Sequence, residues 1–151
     1  MRRAYLVAIA AAVIVFLVIS ALLARVLSAN AAEQSAITAL VKAEARGDAN
    51  AVIGAIVSCR TTPACRLRAS VNAAALRHLG TVSLIQLQAS TSFSIAGTSG
   101  TARVAWNVGG SLPIVQCVRV RRTGNAITGL HVQLLEVSRR IKSDTACPAR
   151  F

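Results

Sequence analysis

The sequence predicts an α+β fold in which an N-terminal transmembrane helix precedes helices packed on a curved antiparallel sheet. Three observations predict it. Residues 4–24 form an apolar run, apolar residues then recur at helical spacing up to Gly80, and from Thr81 onward apolar and polar residues alternate. Helices that precede the strands, rather than alternate with them, are typical of this fold class.

The apolar run predicts a retained transmembrane helix. At about 1.5 Å per helical residue it reaches roughly 30 Å, the thickness of the hydrocarbon core of a bilayer. Arg2 and Arg3 precede it, so residues 1–3 are predicted to be a cytoplasmic tip and the rest of a single-pass cell-membrane protein to be extracytoplasmic. A cleaved signal peptide is the alternative, because residues 29–31 read Ala-Asn-Ala, a small-residue cleavage pattern.

Behind the anchor the chain has the length of one small domain. Residues 25–32 are expected to be a spacer, residues 33–140 the domain and residues 141–151 a C-terminal tail. The first domain helix carries an apolar stripe that includes Glu44, and Gly47 with Asp48 is expected to end it and cap the next.

Two further helices and a set of strands follow in this prediction. The second helix carries an apolar stripe at Val52, Ile53, Ile56 and Val57. The third begins after Pro63, stops at Gly80 and is expected to place these apolar residues together: Leu67, Val71, Ala75 and Leu79. Strands are predicted over residues 82–88, 92–95, 101–108, 114–122 and 126–138.

The four cysteines all follow the apolar run, and their even number fits an oxidising compartment. Cys59 and Cys65 flank a short loop that contains a proline, which favours a local disulfide and leaves Cys117 to pair with Cys147. The two other connectivities stay open at this point. A zinc site is the rival interpretation, but no C-x-x-C pair is present, so we expect no metal and no cofactor.

Charge indicates the class of partner. The chain has 17 Lys and Arg against 5 Asp and Glu, a net charge of +12, which favours an anionic surface or an envelope protein as partner. Nucleic acid is disfavoured because aromatic residues make up only 3 % of the chain. The candidate anionic-partner surface has two groups at different strand ends: Arg119, Arg121 and Arg122, and then Arg139, Arg140 and Lys142.

Two stretches, KAEARGDANAVIGAIVSC and VQCVRVRRTGNAITGLHVQLLEV, resemble the membrane-anchored members of the nuclear transport factor 2-like superfamily. The resemblance covers residues 33–140 and implies a cystatin-like cone of helices against a curved sheet. It also implies a bacterial cell-envelope setting, since similar domains include proteins associated with mammalian-cell-entry lipid transporters.

Some members of that superfamily are lyases or isomerases that work from a pocket inside the cone. Such chemistry needs a general base near the substrate, and His131 is the candidate, with a carboxylate as its partner; Trp106 is a further candidate pocket residue. We find no nucleophile elbow or phosphate-binding loop. The predicted function is therefore a non-enzymatic, membrane-anchored interaction or accessory module at the cell envelope. A small-molecule-binding or lyase/isomerase-like domain is the alternative, and self-association into a homo-oligomer stays open.

Overall fold

The structure of the chain is a computed structural model that describes residues 2–89, 99–125 and 129–151. Within these ranges it leaves aside the side chains of residues 2–5, 7, 8, 25, 26, 29, 124, 125, 129 and 130. The helices are α1 (Arg2–Arg46), α2 (Ala49–Ala55), a 3₁₀ helix (Val57–Arg60) and α3 (Pro63–Ala75). The strands are β1 (Val82–Gln88), β2 (Ser99–Val108), β3 (Ile114–Asn125) and β4 (Gly129–Val137). The predicted strand over 92–95 lies outside the described residues.

The predicted transmembrane helix is wrong. In the described part of the chain, none of the helices combines the length and the apolar character needed to cross a bilayer. The predicted span covered residues 4–24. These residues are part of one continuous helix, α1, that runs on to Arg46. The fold prediction that included this anchor is corrected accordingly, and so is the single-pass membrane location with a cytoplasmic N-terminus.

The junction between α1 and α2 forms as the sequence predicted. Gly47 has a φ of +73°, a conformation that L side chains rarely adopt, and the Asp48 amide donates to the Ala43 carbonyl at 3.0 Å. The Asp48 side chain then accepts a hydrogen bond from the Ala51 amide at 2.9 Å and caps α2. The chain therefore turns sharply at Gly47, and these bonds give partners to backbone groups at the end of α1 and the start of α2.

The buried face of α3 differs from the predicted one. Leu67 is 67 % exposed, and the buried side chains of the helix are Ala69, Asn72 and Ala73. Small residues on this face let α3 approach α1, and the Asn72 amide finds buried acceptors there. The face of α3 that packs inward is therefore the one with small side chains and an amide that finds acceptors, because the free energy of burying a side chain depends on what faces it.

The four strands form one antiparallel sheet in the order β1-β2-β3-β4. Alternation along β2 buries Ala102, Val104, Trp106 and Val108 on the inner face, as the period of two predicted. Val118 and Val120 of β3 join them, and the C-terminal part of α1 covers this face with Ile37, Leu40 and Val41. Among the described side chains of α1, burial begins at Glu33, so the core lies between the sheet and residues 33–76.

Two disulfides are present, and both predicted pairings are confirmed. Cys59 of the 3₁₀ helix pairs with Cys65 of α3, with a Cα–Cα distance of 4.8 Å. Cys117 of β3 pairs with Cys147, with a Cα–Cα distance of 5.8 Å. The second bond fixes the C-terminal tail, residues 141–151, to the outer face of the sheet.

Candidate functional site

Most of the acidic side chains are buried, cap a helix or form an ion pair. Glu33 and Glu44 are fully buried, Asp48 caps α2, and Glu136 pairs with an arginine of β3 at 3.1 Å. Asp144, in the tail, is exposed. Since the chain has 5 acidic residues against 17 basic ones, the surface carries cations with few carboxylates to balance them.

The first predicted group of cations is divided between the two faces of β3. Arg119 and Arg121 lie on the outer face, where Arg121 is exposed and Arg119 donates to Glu136. Arg122 points to the opposite face, because it shares its strand parity with the buried Val118 and Val120. The structure therefore does not bring these three arginines together.

Arg122 holds α1 against the sheet. Its guanidinium donates to Glu33 Oε2 through Nε at 2.9 Å and through Nη2 at 2.5 Å, and Nη2 also donates to Asn30 Oδ1 at 2.9 Å. The Arg122 side chain is 12 % exposed and that of Glu33 is fully buried. Two hydrogen bonds from one guanidinium to one buried carboxylate indicate a structural ion pair rather than a binding surface.

The second predicted group, Arg139, Arg140 and Lys142, is named here the basic segment. All three side chains are exposed where the chain leaves β4. Arg140 Nη2 donates to the Pro113 carbonyl at 3.2 Å, and a cleft of about 700 Å³ lies between Pro113 and residues 140–144. The segment follows Val137, the last residue of β4, which pairs with Val118, whereas Arg121 pairs with Gln133 in the middle of the strand.

The predicted pocket residues lie on different parts of the sheet. His131 is exposed on β4, opposite Thr123. Trp106 is fully buried on the inner face of β2, where its Nε1 donates to Gln116 Oε1 at 2.9 Å. The structure thus places the histidine in solvent and the tryptophan in the packed core.

A buried polar cluster surrounds Glu44 and was not predicted. Asn72 Nδ2 donates to Glu44 Oε1 at 3.2 Å and to the Ser138 carbonyl at 2.9 Å. Gln116 Nε2 donates to the same carbonyl at 3.3 Å. The cluster therefore ties α1, α3, β3 and the end of β4 together through polar atoms inside the core.

Burial raises the pKa of the Glu44 carboxyl from 4.5 to about 7, and hydrogen bonds with Gln116 and Asn72 offset part of that increase. Its Oε2 is buried without a hydrogen-bond partner among the described residues. A carboxyl with a pKa near 7 can act as a general acid or base if substrate reaches it. Four clefts on the described surface lie along the sheet, beside α1 and beside the tail, and Glu44 lines none of the four.

A signal for this cluster was present in the sequence. Glu44 stands at helical spacing from Ile37, Leu40 and Val41, so it occupies the apolar stripe of α1. Glu33, four residues before Ile37, extends the same stripe. An acidic residue in an apolar stripe predicts a buried carboxyl with a polar partner.

In the described residues, no three or more His, Cys, Asp or Glu side chains lie together in a group that could hold a metal ion. Compared with known proteins, the chain matches no family model, no curated protein and no solved structure. The resemblance to the nuclear transport factor 2-like superfamily stays a prediction.

Proposed function

We propose that the chain is a non-enzymatic interaction module that holds an acidic segment of a partner protein, with the basic segment as its principal contact. The observation that carries this proposal is that few of the chain's carboxylates are available to pair with its surface cations. Four of the five acidic side chains are buried, capping or paired. The fifth, Asp144, lines the same cleft as Arg140 and Lys142, so the three cations of the basic segment still outnumber the acid beside them.

The packed interior supports an interaction module over an enzyme. The inner face of the sheet is filled by Trp106 and the apolar side chains of α1, and Glu44 is enclosed by hydrogen-bonding side chains. His131, the candidate base, is exposed on a strand. A pocket enzyme instead requires a titratable group that faces a cavity of substrate size.

Charge chemistry favours an acidic protein segment as the ligand. Arginine binds carboxylates through paired N–H donors, and Arg140 is already held near Pro113 with its charge exposed to solvent. Single-stranded nucleic acid binding usually adds several aromatic side chains for base stacking, whereas aromatic residues make up only 3 % of this chain and its single tryptophan is buried. Membership of the nuclear transport factor 2-like superfamily is part of this proposal, supported by the order of helices before an antiparallel sheet.

The test measures binding of fluorescein-labelled poly-L-glutamate by anisotropy as a function of salt. The variant Arg139→Gln/Arg140→Gln/Lys142→Gln should weaken binding by about tenfold, because three surface charge pairs at about 0.5 kcal/mol each correspond to roughly that factor. Rising salt should weaken binding of the native chain, since exposed charges are screened.

The matched control removes three exposed cations elsewhere, as Arg46→Gln/Arg60→Gln/Arg66→Gln, and should change affinity by less than about twofold. An equal loss in both triple variants would show that only net charge matters and would overturn the proposed site. A single-stranded oligonucleotide that binds more tightly than poly-L-glutamate would contradict the partner class. His131→Ala should leave binding unchanged, and loss of binding there would favour the pocket alternative.

A further inference from the structure

The C-terminal tail lies across the outer face of the sheet and is tied there at two places. The Ile141 amide donates to the Val115 carbonyl at 2.8 Å and forms a short antiparallel bridge with β3. Six residues later, Cys147 is bonded to Cys117. As a result Val115 and Cys117, which face outward, are buried.

Two arginines of the outer face donate hydrogen bonds to the tail, one between Ile141 and Cys147 and the other after Cys147. Arg103 Nη2 donates to the Ser143 carbonyl, and Arg119 Nη2 donates to the Ala149 carbonyl at 2.8 Å. The Arg119 guanidinium carbon also lies 4.9 Å from the centroid of the Phe151 ring. The tail therefore uses the two arginines as a ligand would, through carbonyl oxygens and an aromatic ring.

The packing of the tail is otherwise open. Residues 142–146 and 148–150 are exposed, and clefts of about 700 Å³ lie on both sides of it. Because exposed residues add little apolar burial, the disulfide and the few hydrogen bonds described above hold the tail on the sheet.

The surface beneath the tail is cationic. Three arginines, Arg103 of β2 and Arg119 and Arg121 of β3, lie near one another on the outer face, and we call them the strand arginines. Glu136 on β4 forms an ion pair with Arg119. Arg103 Nε is buried and has no hydrogen-bond partner in the described part of the chain. An unfilled N–H on a guanidinium is best satisfied by an acidic acceptor.

We propose that the outer sheet face beneath the tail is a second contact for an acidic, extended segment of a partner protein, and that the tail occupies it until the Cys117–Cys147 disulfide is reduced. The inference rests on the proposed function, because it takes the same class of partner. Its occupant follows from the charge of the strand arginines and from the way the tail already engages two of them.

Release is a thiol–disulfide exchange with a dithiol reductant. The reductant's first thiolate attacks one sulfur and forms a mixed disulfide, and its second thiol displaces the remaining cysteine. The products are two cysteine thiols and one oxidised dithiol, so two electrons and two protons pass from the reductant to the chain. The tail then leaves Arg119, and that guanidinium keeps only its pair with Glu136.

The test compares poly-L-glutamate binding by the full chain with Cys147→Ser, which frees the tail, and Cys65→Ser, which breaks the other disulfide. Each variant leaves one unpaired thiol, so the two are matched. Cys147→Ser should bind about threefold or more tightly, as expected for one or two added surface charge pairs, whereas Cys65→Ser should bind as the native chain does. Adding Arg103→Gln to Cys147→Ser should abolish the gain.

Two measurements keep the proposal testable if Cys147→Ser folds poorly. The near-ultraviolet signal of Trp106 reports whether the core is intact. In Phe151→Ala both disulfides remain, the ring contact to Arg119 is lost, and binding should rise by about twofold. Trypsin should cleave after Lys142 faster when dithiothreitol is present, because the tail is then free.

Unchanged binding by folded Cys147→Ser, or an equal gain in Cys65→Ser, would overturn the proposal that the tail covers a second contact. Neither result would affect the evidence for binding by the basic segment. Equal trypsin cleavage with and without reductant would contradict release of the tail. If the native chain did not bind poly-L-glutamate at all, the proposed function itself would be overturned, so the two failures are distinguishable.

Discussion

Replacing Glu44 by glutamine tests whether the core contains a carboxyl that ionises with difficulty. Glu44→Gln keeps the shape of the side chain and an oxygen at the position that accepts from Asn72 Nδ2. It removes only the ionisation, because glutamine has no proton to lose near neutral pH. Any pH dependence that Glu44 contributes to stability should therefore disappear in this variant.

The magnitude follows from the pKa of the carboxyl. In the folded chain burial raises the pKa of Glu44 from 4.5 to about 7. Below pH 4.5 the carboxyl is protonated in both states, so folding bears no penalty. As pH rises from 4.5 through 7, the unfolded chain ionises first, and the folded state loses stability relative to it. At about 1.36 kcal/mol for each pKa unit, the full loss is about 3 kcal/mol above pH 7.

The assay is urea unfolding at pH 4 and pH 8, followed by the fluorescence of Trp106, which is fully buried. The free energy of unfolding of Glu44→Gln, relative to the native chain, should rise by about 3 kcal/mol between the two pH values. Glu136→Gln is the control, since that carboxylate lies half-buried on the outer face, and its difference from the native chain should not show this rise. A difference that is the same at both pH values for Glu44→Gln would refute the argument.

Two other pairs of variants test the fold. Arg122→Ala should lower the free energy of unfolding by about 3 kcal/mol, because Glu33 is then buried without its guanidinium, whereas the exposed Arg121→Ala should change it by less than about 0.5 kcal/mol. Equal losses would contradict the assignment of Arg122 to the inner face. Gly47→Ala should cost about 1–2 kcal/mol in urea unfolding because its φ is +73°, and Gly54→Ala, helical with nothing within 4 Å of an added Cβ, should stabilise by up to about 1 kcal/mol. A stable Gly47→Ala would show that the junction can form without glycine.

Local rules in the sequence predicted much of the sheet. The period of two placed Trp106 and Val108 on the buried face, and the same parity separated Val118 from Arg119. Gly47 and Asp48 predicted the end of one helix and the start of the next. These features depend on neighbours a few residues away, so the sequence alone contains the information.

The candidate site was less accessible to the same rules. Arg121 and Arg122 are adjacent in sequence, and grouping them by charge placed them on one surface. Strand parity would have separated them, but only the fold shows that Glu33 stands opposite Arg122 to receive its charge. The tail is a similar case. Pairing of Cys117 with Cys147 was predictable, yet the arginines that it covers were not.

By itself, then, the sequence determined the positions of turns and caps, the inner face of β2 and the two disulfide pairs. Tertiary structure decided which polar groups became buried and which helix face packed inward. Glu44 shows the physical reason: its place in an apolar stripe follows from helical spacing, but its raised pKa depends on desolvation by elements distant in sequence. Hydrogen bonds with Asn72 and Gln116 offset part of that rise. Leu67 is exposed and Ala69 buried for the same reason, because the free energy of burying a side chain depends on what faces it across the core.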